Sequence, residues 1–284
     1  YLDVFAENNI YSVENPIFNV SGKIAFGINV FDQADGSNNK NGPYSIELFA
    51  DDSLIFSIVS HKYSYSETRY INSLIDYSYF IRKKERFVRT EIDEFNELNL
   101  YGEKNGIVTV NEDDTLNMKY VVKDYFDNVS ILDFTLIGDK YSAVEKSEIL
   151  YSSGFNILND KGSEIVLDGF EANVPKLAFY SNVSIKTSQI DTVENIFSKY
   201  AYQIGNEEIA LHKKIKIRLD VKDGCLGDTS LYVAFVAKNG KFSFLGNKML
   251  DGKIEAQTNV LGTYVIAKDT VAPRIIPINF KNNS

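Results

Sequence analysis

Along much of the chain, apolar and polar residues alternate one by one. The clearest run is "KIKIRLDVK", where Ile215, Ile217, Leu219 and Val221 share one side and Lys214, Lys216, Arg218, Asp220 and Lys222 share the other. A period of two sends successive side chains to opposite faces of an extended backbone, so the run predicts a strand with one dry face. "TLNMKYVVKDYFDN" repeats the pattern through Leu116, Met118, Tyr120 and Val122, and "SILDFTLIG" follows with Leu132, Phe134 and Leu136. The Asp127-Asn128 pair between them has turn chemistry, which makes the two segments a hairpin. Further strands are expected over "GKIAFGINVFD", "YSIELFA", "LIFSIVS", "GIVTV", "EIVLDGF", "VSIKTSQI", "LYVAFVA", "KFSFLG" and "TYVIAKD".

The segments between them, "DGSNNKNG", Asp51-Asp52, "GEKNG", "NDKG", Asp223-Gly224, Asn239-Gly240 and Asp251-Gly252, are built from residues that favour tight turns. Many short strands without long helices between them predict antiparallel sandwiches, because a parallel sheet needs a crossover helix after each strand. Two stretches depart from the strand pattern. Residues 67 to 80 put Tyr70, Ile71, Leu74, Ile75 and Tyr77 or Tyr79 on one side, which suits a turn or two of helix after Ser66-Glu67. "DTVENIFSKYAYQI" opens with Asp191 and Glu194 in a cap-like spacing and suits either a short helix or a strand.

A chain of 284 residues has room for two domains. A polar, low-β stretch, "GDKYSAVEKS" at 138–147, separates two strand-rich halves. The expected order is an N-terminal extension (1–12), an immunoglobulin-like β-sandwich (13–139), a second β-sandwich (145–269), and a linker or the start of a further module (270–284). The fold class expected is therefore all-β, two antiparallel sandwiches in tandem.

Composition narrows the partners. With 39 acidic against 30 basic residues the net charge is -9, which repels a polyanion, so nucleic acid is excluded as a partner. No apolar run reaches the roughly 18–20 residues of a membrane-spanning helix. The chain begins at Tyr1 without an apolar leader, so an export signal would lie outside it. The single cysteine, Cys225, allows no internal disulfide and reads as a free thiol at a turn.

Four passages, taken in order, carry a resemblance: "DGSNNKNGPYSIELFADDSLIFSI", "ETRYINSLIDY", "VVKDYFDNVSILDF" and "LGTYVIAKDTVAPRIIPINF". Together they resemble the region that follows the catalytic domain in envelope-associated lysostaphin-type (LytM-like) zinc metalloendopeptidases of Gram-negative bacteria. The resemblance spans nearly the whole chain. It implies export to the periplasm or outer envelope, an N-terminal peptidase domain as partner, peptidoglycan as a ligand, and β-sandwich modules placed after the enzyme. The family's metal site uses an H-x-x-x-D motif and a later H-x-H. Here the only histidines are His61 in "SHKYS" and His212 in "ALHKK", with neither spacing, so no catalytic residue carries over. Zinc would belong to the missing catalytic domain, and no cofactor is expected in this chain. The expected role is that of a non-catalytic accessory region. The alternatives are a surface adhesion module without a peptidase and a hydrolase in its own right.

The candidate chemistry within the chain is sparse. Zinc hydrolysis needs three protein ligands and an open position, more than two separated histidines supply. A nucleophilic pair of Cys225 and His212 would have to meet across neighbouring strands. "FDQADGSNNKNG" crowds Asp32, Asp35, Asn38, Asn39 and Asn41 without the order of an EF-hand, which reads as a polar loop. The paired acids Asp51-Asp52, Asp113-Asp114 and Glu207-Glu208 read as turn residues, and the N-x-S triplets at Asn19, Asn128 and Asn182 as chance. One segment stands out, "TRYINSLIDYSYFIRKKERF", which mixes aromatic and basic side chains. Its apolar members, Tyr70, Ile71, Ile75, Tyr77 and Phe80, are expected to cover an open end of the sandwich while Arg82, Lys83, Lys84 and Arg86 stay in water. With its flank "YSYSETRY", it supplies the candidate ligand-binding or interdomain surface: Tyr63, Tyr65, Arg69, Tyr70, Arg82, Lys83, Lys84 and Arg86.

Overall fold

In a computed structural model, residues 3–7, 10–33, 36–62, 64–142, 154–191 and 195–275 are described. They form an all-β chain of two sandwich modules in tandem. In the first module the strands are β1 (Val4–Glu7), β2 (Ile10–Val13), β3 (Ile17–Val20), β4 (Gly22–Ile24), β5 (Gly27–Ile28), β6 (Ser45–Ala50), β7 (Ser53–Val59), β8 (Val88–Arg89), β9 (Val108–Val110), β10 (Thr115–Lys123) and β11 (Val129–Gly138). Two short helices, α1 (Ile71–Leu74) and α2 (Tyr77–Lys83), lie between β7 and β8.

A seven-stranded sheet in the order β1-β2-β11-β10-β6-β7, with β3 also on β11, forms one layer. The predicted hairpin is its centre: β10 and β11 pair antiparallel with Met118 opposite Phe134 and Tyr120 opposite Leu132. Asp124 shapes the turn, its carboxylate accepting from the backbone N–H groups of Phe126 and Asn128 at 2.8 and 2.9 Å. The N-terminal hairpin β1–β2 is part of this sheet, because β2 runs parallel to β11.

The facing layer is irregular. The strand expected over "GKIAFGINVFD" breaks into β4 and β5, which pair with β9 and β8 in two separate ribbons. The break at Ala25-Phe26 has a partner, since the Phe26 N–H donates to the Thr90 hydroxyl at 3.0 Å. The core between the layers holds Leu48, Phe56, Met118, Val110 and Leu136, with Leu74 contributed by α1.

In the second module the strands are β12 (Gly154–Ile157), β13 (Ser163–Leu167), β14 (Phe170–Val174), β15 (Val183–Ile190), β16 (Ala201–Ile204), β17 (Ile215–Asp220), β18 (Leu231–Val236), β19 (Phe242–Gly246), β20 (Lys248–Leu250), β21 (Lys253–Thr258) and β22 (Gly262–Lys268). They make a six-stranded sheet, β12-β15-β16-β22-β18-β19, and a five-stranded sheet, β13-β14-β17-β21-β20. The alternation read in "KIKIRLDVK" holds: Ile215, Ile217 and Leu219 are buried, and Arg218 turns outward to Glu255 across the sheet at 2.8 Å.

Between the two sheets Phe170 stacks on Tyr202 and Tyr264, with ring centroids 5.1 and 6.3 Å away. Each phenol reaches a backbone carbonyl, Tyr202 to Asp168 and Tyr264 to Val260, so the rings are buried without stranding a polar group. One expectation changes here, and one open alternative is decided. "EIVLDGF" is not one strand: Asp168-Gly169 turns the chain between β13 and β14, with Gly169 at φ +78°. "DTVENIFSKYAYQI" ends in strand β16, whose Ala201, Tyr202 and Ile204 are fully buried between β15 and β22, while Glu194 lies outside the described residues. The link beyond residue 142 and the segment after residue 275 also lie outside the described residues.

Candidate functional site

The aromatic and basic segment folds as a series of short helical turns. At its start the Ser64 N–H donates to Glu67 Oε2 at 2.6 Å, closing a 3-10 turn over Tyr65–Tyr70 that runs into α1. Ile75 leaves helical geometry to bridge Val88, which ends α1. Asp76 restarts the helix, its carboxylate accepting from the Tyr79 N–H at 2.9 Å, an N-cap that satisfies a donor the first turn leaves open. Lys84, left-handed at φ +63°, closes α2. Of the apolar residues expected to cover the first core, Tyr70 and Ile71 pack against it, and Leu74 lies inside it; Ile75, Tyr77 and Phe80 are not part of that cluster.

The outer side of the same segment meets the second module. Tyr70 stacks on the His212 ring at 4.3 Å between centroids and 26° between planes, and Tyr180 stands edge-on to both. The Tyr180 hydroxyl donates to the Arg69 carbonyl, and the Phe95 N–H donates to the Tyr180 carbonyl at 3.0 Å. The Arg69 guanidinium lies 3.5 Å from the His212 carbonyl. Along α2, Glu208 accepts from Ser78 Oγ at 2.7 Å and from Arg82 Nη1 at 2.9 Å. Three aromatic rings are therefore ringed by polar contacts, the layout of a small protein interface.

Burial sets the electrostatics of this cluster. It pushes the His212 pKa down, Lys213 and Arg69 add to the shift, and Glu97 opposes them. The buried His212 Nδ1 has no hydrogen-bond partner among the described residues, so a proton there would gain none. Burial raises the phenol pKa of Tyr70, helped by its 2.9 Å bond to Glu97, and also raises that of Tyr180.

Of the surface residues singled out from the sequence, Arg69, Tyr70 and Arg82 come together at this junction. Arg82 corrects the expectation that it stays in water: its 49% exposed side chain is paired with Glu208 of the other module. Lys83 is exposed at the end of α2, and Tyr65 is fully exposed. Lys84 and Arg86 lie over the Phe80 ring at 5.5 and 4.8 Å. Tyr63 lies outside the described residues.

The other candidates stay apart. His61 is exposed, its Nδ1 near the Val59 carbonyl. Cys225 packs at the edge of the second core and is not among the groups that shift the His212 pKa, Lys213, Arg69 and Glu97. Asp32 and Asn41 pair through their backbones at 2.8 Å, and Asp35 lies outside the described residues. Among the described residues no three His, Cys, Asp or Glu side chains are grouped to hold a metal ion, and no helix is long and apolar enough to cross a membrane.

Sequence reasoning missed Tyr180, His212 and Glu208 as interface residues. The only local signal was the Glu207-Glu208 pair; Tyr180 in "LAFYSN" carries none, since its role depends on what docks against it.

Fold and junction together define a class, an all-β protein of two docked sandwich modules whose shared surface is aromatic and polar. Within it, residues 157–269 match the Zu5-like domain family, which takes in most of the second module and less than half of the chain. No curated protein matches the chain.

Proposed function

We propose that this chain is a non-catalytic accessory region of an exported, cell-envelope peptidoglycan metalloendopeptidase, positioning the enzyme or binding the wall for it. The observation that carries the reading is the use made of His212, the one histidine in a sheltered setting. Its ring is spent on the stack with Tyr70 and its carbonyl on Arg69, so it joins two modules. Two sandwiches in tandem, in contact through this junction, put distance between what lies at their two ends, which is what an enzyme working on a fixed polymer needs from a spacer. The resemblance of "ETRYIN" with "IDY" supplies the peptidase as parent; those residues lie in the segment that closes the first core and docks the second module. Zinc would be held by the parent's catalytic domain.

The test is co-sedimentation of the purified chain with peptidoglycan sacculi, beside a turnover assay on the same material and the coding sequence upstream of Tyr1. The reading expects an H-x-x-x-D and H-x-H pair encoded upstream, and no cleavage by this chain alone. Cleavage by the isolated chain, or an upstream sequence without those motifs, overturns it. One observation favours an adhesive module without a peptidase: Tyr125 and Phe126, at the tip of the β10–β11 hairpin, are 78% and 82% exposed. The upstream sequence separates these two readings.

A further inference from the structure

β19 ends the six-stranded sheet of the second module. It pairs with β18 alone, so its other edge is open among the described residues. The hairpin fixes which backbone groups lie on that edge. The Ala237 N–H donates to the Lys241 carbonyl at 2.9 Å and the Gly240 N–H to the Ala237 carbonyl at 2.8 Å, closing the loop over residues 238–240. Antiparallel partners alternate between bonded and non-bonded pairs, so from there Phe235 and Ser243 are bonded while Val236 and Phe242, and Ala234 and Phe244, are not. The N–H and C=O groups of Phe242 and Phe244 therefore point away from β18, a ready template for another extended chain.

The other strands that end the large sheets are covered, charged or turned inward. Along β7, Val59 donates to the Leu100 carbonyl, and the Ser57 and Ile55 carbonyls accept from Gly102 and Gly106. β1 starts beside Asp3, β13 holds Glu164 and β20 holds Lys248, while the apolar side chains of β12, Phe155 and Ile157, pack in the second core. Within β19, "FSFLG", there is neither charge nor proline. Its bulge lies past the two phenylalanines, at Leu245. Phe244 is 62% exposed and lies 5.3 Å from the Tyr232 ring, and Phe242, two residues away, shares its face of the sheet.

Charge selects what can pair there. From Asp228 to Asp251 the chain has no acid between them and carries Lys238, Lys241 and Lys248. Lys248 is paired with Glu255 at 3.6 Å, whereas Lys238 and Lys241 make no ion pair among the described residues. Of the two acids that bound the run, Asp228 is held by Lys268 at 2.9 Å, and Asp251 lies past β20, at the opposite end from Lys241. Lysines beside an open edge oppose its pairing with a like strand and favour an acidic one.

We infer that β19 is a strand-addition site for an extended segment of another protein, one with apolar residues at alternate positions and acidic flanks. The outward backbone groups of Phe242 and Phe244 pair with the segment, its apolar side chains lie beside the two phenyl rings, and its acids meet Lys238 and Lys241. The inference is independent of the peptidase reading.

The probes are fluorescein-labelled peptides, Val-Thr-Val-Thr-Val flanked on each side by two Glu, two Ser or two Lys, read by fluorescence polarisation with the whole chain. The Glu-flanked peptide is expected to bind saturably and the Lys-flanked one at least about tenfold more weakly, with the difference shrinking as salt is added. Successive residues of a strand turn their backbone groups to opposite edges. N-methylating the Glu-flanked peptide at its valines or at its threonines should therefore cost at least about tenfold in one isomer and little in the other. Phe244→Pro removes an outward donor and no ladder bond; it should weaken binding about tenfold with the fold intact by circular dichroism. Lys238→Glu with Lys241→Glu should reverse the preference between Glu and Lys flanks. Failure of every peptide to bind, binding indifferent to the flanks, or equal binding of both N-methylated isomers overturns the inference. So does a dimer in sedimentation that Phe244→Pro dissolves, since the edge would then serve a second copy of this chain.

Discussion

Replacing Tyr70 and His212 by alanine, singly and together, measures whether the two modules hold one another through their aromatic junction. Tyr70→Ala alone is the larger loss, about 2–3 kcal/mol, because a half-buried ring packed on the first core goes together with its bond to Glu97. That loss does not isolate the junction; the double-mutant cycle does, since the Glu97 and core terms appear on both sides and cancel. Rings stacked at 4.3 Å and 26° should leave a coupling of about 1 kcal/mol, within the 0.5–1.5 kcal/mol range of aromatic pairs. A parallel cycle on Arg82 and Glu208, 49% and 27% exposed, should give only about 0.2–1 kcal/mol and shrink with salt. The assay is urea unfolding of the whole chain followed by far-ultraviolet circular dichroism and tyrosine fluorescence, whose coincidence checks that one transition is being measured. Distant residues add within about 0.3–0.5 kcal/mol. A Tyr70–His212 coupling inside that band would refute the docking described here.

Two further predictions concern pH and backbone. The folded-state pKa of His212 is depressed, so as pH falls through about 6.5 the unfolded chain takes up a proton that the folded chain refuses. Stability from this group is therefore full above about pH 6.5 and declines below it until the folded pKa is passed; urea midpoints between about pH 7.5 and 5 should fall less in His212→Gln than in the wild type, and identical slopes would contradict the assignment. Gly169→Ala should cost about 2–3 kcal/mol: φ is +78°, and the new methyl would press on the Tyr202 hydroxyl that bonds to Asp168, lowering the thermal midpoint by several degrees, whereas an unchanged midpoint would show that the turn relaxes.

Much of the fold was legible because strand formation leaves a local mark. Ile215, Ile217 and Leu219 alternate with charged neighbours whether or not their sheet has formed, and the same holds for Met118 and Tyr120 in the central hairpin. Where burial is two-sided the mark fades: Ala201–Ile204 lies between two neighbouring strands and carries no clean alternation, so a short helix was equally readable there. Gly22–Ile28 was misread for the opposite reason. Its apolar residues suit a long strand, but no neighbouring strand extends far enough to pair with one, and the segment breaks into two ribbons.

The candidate surface was legible only in part. That Arg69, Tyr70 and Arg82 belong to an exposed, mixed aromatic and basic segment follows from composition and spacing alone, as does the all-β build of the chain; that β2 and β3 run parallel to β11 does not. That these three side chains meet Tyr180, His212 and Glu208 was decided by tertiary structure. The partners of Arg69 and Arg82 lie more than a hundred residues away in sequence. Periodicity reports which face of a strand is dry, because that depends on backbone geometry repeating every second residue. Which two surfaces dock depends on shape and charge assembled from distant segments, and no local window of sequence contains that sum.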